Sequence, residues 1–524
     1  MNPLPADPIL SCEQSLAFEK SFFKGNEERE WQVMNQAGES IGDSFLRDMR
    51  ELRTIPPRPR ILVLVGKGHN GGDALLAAKR MLRTIPTARA VVWPLCSWDE
   101  CRPHTQRART ELLELAAKRI EEMPPASEAD GIDSLRKTMV EQSGERGFDA
   151  SIDGLLGMQA SLPLREPLGD WVKAINDFEE IAVRAAVDMP TGIGEEQVED
   201  ALRADFTYCT GIVKTPVVLP ENLKWTGRLR YLDLGFFEQP GEETTPEQAG
   251  VLRSSVLKRL RRLRPADCDK RDQGHLFLLA GSRELGGAAM MAAQAALKAG
   301  VGLVTVGIPE SLHASFAAQR PEAMWVPLPE TPDGGLALEG LGQVRQFLPK
   351  ATALAIGPGL GTEGETHSLV RETLSFFEGP VVLDADALRP EILSDAPSPD
   401  RLVLTPHAGE FARISEGRSP KDYVSQTGST LVLKGAHTQI VSPAAHHYSF
   451  IGSSLLARGG SGDLLTGILG ALLAKKIFDI PTSASLAVLW HGRAAEVLAR
   501  QHGQEAVYAT DLLDYLSFAI RNDF

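Results

Sequence analysis

Cysteine is scarce in this chain, basic charge is in deficit, and no long apolar run occurs. Five cysteines, Cys12, Cys96, Cys101, Cys209 and Cys268, are scattered over 524 residues. Only Cys96 and Cys101 lie close together, and no second pair completes a zinc-ligand spacing. The pattern therefore argues against a metal-stapled or disulfide-stapled scaffold and for buried or incidental thiols. Lysine and arginine number 55 against 69 acidic residues, a net charge of -14. Without a basic excess to displace counterions, a duplex nucleic-acid partner is not expected. A nucleotide remains possible, because it needs only a local cradle. No run approaches the roughly 20 apolar residues of a membrane helix. Nor does Met1-Asn-Pro-Leu-Pro-Ala-Asp-Pro carry the basic region and apolar core of a secretory leader. A soluble, cytoplasmic protein with no membrane partner is the expectation.

What is present is ordinary globular material, 43% hydrophobic and 24% charged. The length exceeds what one core supports, so at least two domains are expected. From Ile61 short apolar strands alternate with helical stretches. Ile61–Val65, Ala90–Trp93, Phe148–Ile152, Ile181–Val187, Phe206–Thr210 and Leu229–Leu234 read as strands, Asp73–Leu82 and Thr105–Glu122 as helices. This alternation implies a parallel sheet with helices on both faces. Glu238-Gln-Pro-Gly-Glu-Glu-Thr-Thr-Pro-Glu-Gln248 then breaks the pattern and reads as a linker.

The alternation restarts at Gly274–Ala280. It runs through Gly302–Gly307, Ala353–Ile356, Pro380–Leu383, Arg401–Leu404, Thr430–Leu433 and Gln439–Val441, with helices over Gly287–Ala299 and Ala484–Ala499. No repeat relates the halves. The expected domains are 10–240 and 246–524, with the boundary near residue 245. The expected fold class is α/β, two separate three-layer α/β/α domains.

Near the C-terminus, Ala457-Arg-Gly-Gly-Ser-Gly-Asp463 precedes an apolar helical run, Leu464–Ala474. Glycines at a helix start leave backbone N–H groups unpaired where the helix dipole is positive, which favours phosphate. Asp463 stands where a carboxylate could take a proton from a hydroxyl attacking that phosphate; an N-cap aspartate is the alternative. Leu404-Thr-Pro-His-Ala-Gly-Glu410 and Leu431-Val-Leu-Lys-Gly-Ala-His-Thr438 likewise follow apolar strands. Ligands of α/β sheets bind at strand carboxyl ends, so three such ends suggest a nucleotide site.

Six motifs occur in order here: Gly281-Ser…Gly287-Ala-Ala289, Gly357-Pro-Gly-Leu-Gly361, Leu383-Asp-Ala-Asp-Ala387, Leu404–Glu410, Lys434-Gly-Ala and Gly459–Asp463. Together they resemble the ribokinase-like ADP/ATP-dependent NAD(P)H-hydrate dehydratases. That resemblance implies a ribokinase-like fold and an enzyme that phosphorylates the hydroxyl of a hydrated nicotinamide ring and eliminates the phosphate. It makes Asp463 the base, with Ala288, Gly359, His407 and Asp463 at the substrate. Lys434, Gly435, Ala436, His437, Thr438 and Gly462 would lie along the nucleotide. ADP is the expected phosphoryl donor, ATP the alternative. Asp384 and Asp386 would organise water and Mg2+, or cap the next helix. Arg458 replaces a small hydroxyl residue of the family and would add phosphate affinity or reach solvent; Ser453 replaces an asparagine.

In the first half, Val65-Gly-Lys-Gly-His-Asn-Gly-Gly-Asp-Ala74 joins a strand to a helix, a phosphate-binding arrangement unlike the dinucleotide fingerprint or P-loop. With Val33–Gly38, Ser151–Gly157, Ala186–Gly192 and Ala204…Lys214 it resembles the NAD(P)H-hydrate epimerase domain, over residues 10–240. A Rossmann-like fold follows, with exchange of the two epimers of the hydrated ring. Carried over by position, His69, Asn70, Gly71, Gly72 and Asp73 would hold substrate. So would Gly157, Met158, Gln159, Ala160, Ser161, Leu162 and Pro163. Asp188 would be the acid/base, and Asn70, Asp153 and Thr191 would ligate K+. Turn formation is the plain alternative for the glycine-rich segments. His69, Ala74 and Met158-Gln159 depart from the family's Asn, Gly and Thr-Gly.

The small-molecule partner implied is hydrated NADH or NADPH, and a homo-oligomer is expected. A rival reading makes the C-terminal half a small-molecule hydroxyl kinase. In it, the N-terminal half is a non-catalytic binding and dimerisation module.

Overall fold

The computed structural model describes residues 4–521 apart from 130, 160–161, 197, 199, 239–247 and 395. The expected linker therefore lies almost wholly outside the described residues. The chain divides at residue 244 into two compact units, the later one also taking the residues before Asp7. Each is an α/β unit with its own sheet.

The N-terminal sheet has seven parallel strands. From edge to edge these are Ile120–Glu122, Arg89–Pro94, Arg60–Val65, Ala150–Gly154, Arg184–Val187, Phe206–Thr210 and Arg228–Leu232. Apolar residues fill both faces: Ile61, Val63 and Val65 join one core cluster, Leu62 and Leu64 another. That is why Arg60–Val65 reads as an unbroken apolar run rather than an alternating one. Helices Glu27–Met49 and His69–Thr84 pack together on one side, with Gly38 against Leu76.

One expectation is corrected at this edge. The helix expected over Thr105–Glu122 stops at Ala116, and after a 3-10 turn Ile120–Glu122 forms the edge strand. Arg109 grips the Glu122 carboxylate with two hydrogen bonds, at 2.6 and 2.7 Å. Arg119 donates to the carbonyls of Leu82 and Ala88 at 2.9 and 3.3 Å. These contacts turn the chain back to the sheet, and the acidic residues suit an exposed edge.

In the C-terminal unit the parallel strands run Met324–Leu328, Leu303–Pro309, His275–Leu279, Ala353–Ile356, Val381–Leu383, Leu402–Leu404 and Thr430–Leu433. Thr430–Leu433, Thr438–Ser442 and Ala445–Ser449 then form an antiparallel meander, so the sheet is mixed rather than wholly parallel. The connections are too short for a parallel crossover, which needs a dozen residues or more. Helices Gly286–Lys298 and Ser461–Ala474 cover one face. Gly467 lets them meet, since a Cβ there would stand 2.1 Å from the Ala292 carbonyl. Every residue from Leu464 to Ala474 is buried, which fits that helix's apolar run. No helix among the described residues is long and apolar enough to cross a membrane.

Candidate active sites at two sheet edges

In the C-terminal unit, Lys434 follows one central strand and Asp384 another. The Lys434 ammonium donates to Asp384 Oδ1 at 2.8 Å, and the Thr466 hydroxyl donates to Asp384 Oδ2 at 2.7 Å. Asp384 is therefore a buried, doubly bonded anchor. Gly462 lies over this pair: a Cβ would stand 3.4 Å from Lys434 Nζ and 3.8 Å from Asp384 Oδ2. Helix Ser461–Ala474 begins at Gly460, whose φ of 91° reverses the chain where other residues are strained. No side chain caps that helix; the Ser461 N–H bonds the Arg458 carbonyl at 3.3 Å, which leaves those of Gly462 and Asp463 for the cradle.

Asp463 sits in that first turn. Burial, with the Asp384 and Asp386 carboxylates adding and Lys434 opposing, pushes its carboxyl up to about 6. Ser461 Oγ lies 3.5 Å from Nε2 of buried His491, whose pKa burial lowers to about 4. Thr466 and His491 had no motif to announce them; their signal is positional, one helix turn past Asp463 and on a facing helix.

The other expected residues are distributed around this point. His407 caps helix Ala408–Ser415: its Nδ1 accepts from the N–H groups of Gly409 and Glu410 at 3.0 and 3.3 Å. Its backbone bridges Lys434 on the next strand, and its ring is 61% exposed. Gly359, at φ 65°, abuts Ala288, whose Cβ would be 3.0 Å from an added one. Asp386 Oδ2 accepts from the Gly361 N–H at 2.9 Å. Gly435, Ala436 and His437 form the turn to Thr438, and His437 packs edge-on to Phe450. The Arg458 guanidinium is tied to the carbonyls of Val507 and Glu505 at 2.7 and 2.9 Å and lies 3.6 Å from the exposed Glu505 carboxylate, at the solvent side of the glycine loop. Ser453 caps the short turn Ser454–Leu456.

In the N-terminal unit a cleft of about 760 Å3 opens at the carboxyl ends of the central strands. Asp188 follows the strand Arg184–Val187 in a left-handed conformation, φ 64°. Strain of this kind clusters at functional positions. Its Oδ1 accepts from buried Lys214 at 2.6 Å. Burial alone would lower the Lys214 pKa, but the Asp188 and Glu19 carboxylates outweigh it and raise the value. Asp73 lines the same cleft, fully buried, with Oδ1 unpartnered. Burial, then Asp188 and Glu19, raise its pKa well above the usual range. Glu19 completes the group. Burial pushes it up to about 7, with Lys214 partly offsetting and Asp188 adding. Glu19 comes from helix Cys12–Phe23, which carries no motif.

His69, Asn70, Asp73, Gly157, Met158 and Gln159 line the cleft, whereas Gly71, Gly72, Leu162 and Pro163 are not among its lining. Gly71 packs on the Gly66 carbonyl and Gly72 on Met34. Ala160 and Ser161 lie outside the described residues. Behind the cleft, Asp153 accepts from Thr191 N–H and Oγ1, each at 2.8 Å, and from Leu155 N–H at 3.1 Å. Burial raises its pKa to about 6 against those three bonds. Asn70 donates both amide hydrogens, to the Leu156 and Val187 carbonyls at 3.1 Å each. That leaves its Oδ1 turned toward Gly157.

A carboxylate on an uncapped, glycine-framed helix start and a carboxylate–lysine pair in a strand-end cleft define a two-site α/β enzyme. Residues 276–517 match the family model described as NAD(P)H-hydrate dehydratase, and residues 30–216 that of the YjeF-related protein N-terminus. A bifunctional NAD(P)H-hydrate repair enzyme from Gloeobacter violaceus is 37% identical over 68% of this chain and 72% of its own. Another from Synechocystis is 33% identical over 91% of this chain and 89% of its own. An ADP/ATP-dependent NAD(P)H-hydrate dehydratase from Bacillus subtilis, co-crystallised with ATP/Mg2+, is 29% identical with a TM-score of 0.44. It covers 51% of this chain and 96% of its own. The chain belongs to the bifunctional NAD(P)H-hydrate repair enzymes.

Proposed function

We propose that the C-terminal half dehydrates hydrated NAD(P)H at the expense of a nucleotide, and that the N-terminal half interconverts the epimers of the hydrated ring carbon. The observation that carries this reading is Asp463, a partly buried carboxylate pushed up to about 6, beside the Lys434–Asp384 pair. Such a base takes the proton of the ring hydroxyl as its oxygen attacks the terminal phosphorus of the nucleotide. The first-turn N–H groups and Lys434 face the charge that builds on the transferred group. Phosphate then leaves with the C–O electron pair. The neighbouring ring C–H bond supplies the pair of the restored double bond, and its proton goes to solvent.

ADP is the preferred donor in this reading. Mg2+ would neutralise charge on the nucleotide phosphates. Asp386 suits it better than Asp384, because both Asp384 oxygens are taken by Lys434 and Thr466 while Asp386 has one bonded to Gly361. In the N-terminal half, Asp188 serves as acid/base and Lys214 holds its charge. Asn70 Oδ1 would head an all-oxygen donor set for K+ with Asp153 and Thr191, whose oxygens bond to each other and to the Leu155 and Leu156 N–H groups and would exchange those bonds for the ion. The substrate is hydrated NADH or NADPH, and the working form is a homo-oligomer.

The test is Asp463→Asn. The amide keeps the shape but cannot accept the proton, so dehydration should fall on the order of 10²–10⁴-fold while nucleotide binding persists. Near-normal turnover by the variant would remove Asp463 from the role of base.

A further inference from the structure

Two departures from the epimerase family, His69 and Gln159, are far apart in sequence, and the resemblance gives them only a general place at the substrate. The structure brings both to one side chain. Arg102 Nη1 lies 3.5 Å from His69 Nε2, and its Nη2 donates to Gln159 Oε1 at 3.3 Å. All three line the N-terminal cleft. Arg102 is not placed there by a loose loop. Its backbone N–H donates to the Lys67 carbonyl at 2.9 Å, and the Thr105 hydroxyl donates to the Gly68 carbonyl at 2.8 Å. These bonds clamp the start of helix Pro103–Ala116 to the glycine loop that opens helix His69–Thr84. Neither helix start has a side-chain cap.

The charges around it are unequal in their commitments. Glu30, the acidic residue closest to His69, faces His69 at 3.3 Å and His104 at 3.9 Å. The Arg102 guanidinium donates to the Gln159 amide oxygen and touches His69, whose same Nε2 faces Glu30, and no carboxylate lies in ion-pair reach of Arg102 among the described residues. Lys67 stands beside it on the cleft wall, and Glu100 is the nearest acidic residue in sequence. A guanidinium whose one directed side-chain bond goes to a neutral amide oxygen, next to a lysine and two helix starts, keeps its fork for an anion.

We propose that Arg102 is the phosphate anchor of the N-terminal cleft, binding a phosphate of the dinucleotide portion of the hydrated cofactor, with His69 and Gln159 fixing its fork. This rests on the epimerase reading. The phosphate is either in the pyrophosphate bridge or on the adenosine ribose, and the choice of substrate separates these sources.

The experiment measures epimer exchange by the full-length protein with hydrated NADH and hydrated NADPH, in wild type, Arg102→Ala and Arg102→Lys. Exchange by the wild type tests the epimerase reading on its own; its absence sinks that reading whatever Arg102 does. With exchange present, Arg102→Ala should raise KM about tenfold or more and leave kcat within a few-fold, as loss of a charged hydrogen bond predicts. Arg102→Lys keeps the charge without the fork and should fall between. The wild-type KM should also climb with salt more steeply than that of Arg102→Ala. An equal loss on both substrates assigns the pyrophosphate; a larger loss on hydrated NADPH assigns the ribose phosphate. The proposal is overturned if KM is unchanged in both variants, or if kcat falls while KM does not.

Discussion

Lys214 and Asp188 are almost fully withdrawn from water, their side chains 2% and 8% exposed, and each is the other's charge partner. This constrains how Asp188 is tested. Asp188→Ala would strand a buried ammonium, and removing one member of such a pair typically costs about 3–5 kcal/mol. We predict that Asp188→Ala loses epimer exchange and much of the stability of its unit, whereas Asp188→Asn loses exchange with a milder shift in melting temperature. Equal melting temperatures for wild type and Asp188→Ala would show that the pair does not carry that energy. At Glu19 the carboxyl stands at about 7 in the folded chain against an ordinary 4.5. A raised folded value stabilises below about 4.5 and loses that contribution as pH climbs through 7. Glu19→Gln should therefore gain stability relative to wild type between pH 5 and pH 8, as read by denaturant unfolding; parallel pH profiles would contradict this. For Asp463 the sign concerns rate. A base must be deprotonated, so dehydration should rise with pH through about 6, and a flat profile would count against it.

At the scale of elements, the sheet edges are held by backbone contacts that only glycine allows. A Cβ on Gly66 would stand 1.7 Å from the Leu155 carbonyl, where the glycine loop crosses the end of the strand Ala150–Gly154. Gly66→Ala must push the two segments apart. We predict a loss of at least about 2 kcal/mol from overpacking, with reduced epimer exchange, measurable by denaturant unfolding and kinetics. Unchanged stability would mean that the loop has room the structure does not show.

The same scale explains what was legible in the sequence. Ala353–Ile356 and Phe206–Thr210 lie where their apolar runs place them, because central strands are buried on both faces. Ile120–Glu122, Met324–Leu328 and Ala445–Ser449 lacked that signal: all three are edge or meander strands with exposed or half-buried positions. The glycine loops announced the cradles, since helix starts and positive φ leave a local imprint. The Asp384–Thr466 bond and the Lys214–Glu19 relation left none, because they join side chains far apart in the chain. Arg458 shows the same limit: beside a glycine loop it reads as phosphate-binding or solvent-reaching, and the Glu505 carbonyl and carboxylate and the Val507 carbonyl that it contacts lie 47 and 49 residues further along the chain.

For the whole molecule, each unit has its own sheet and its own buried cores. We propose that the activities separate along with the units. A fragment ending near residue 240 should fold and exchange epimers, and one starting near residue 246 should dehydrate a single epimer. A C-terminal fragment that consumed both epimers at equal rates would refute that division of labour.

The central claim is tested most directly by giving the full-length protein a mixture of both epimers of hydrated NADH or NADPH, with ADP or ATP and Mg2+, and following the absorbance of the reduced nicotinamide. Wild type should return the absorbance completely, Asp188→Asn should return it for one epimer only, and Asp463→Asn should return none. Accumulation of a stable phosphate ester without any return of absorbance would contradict the claim, and would identify the C-terminal half as a hydroxyl kinase.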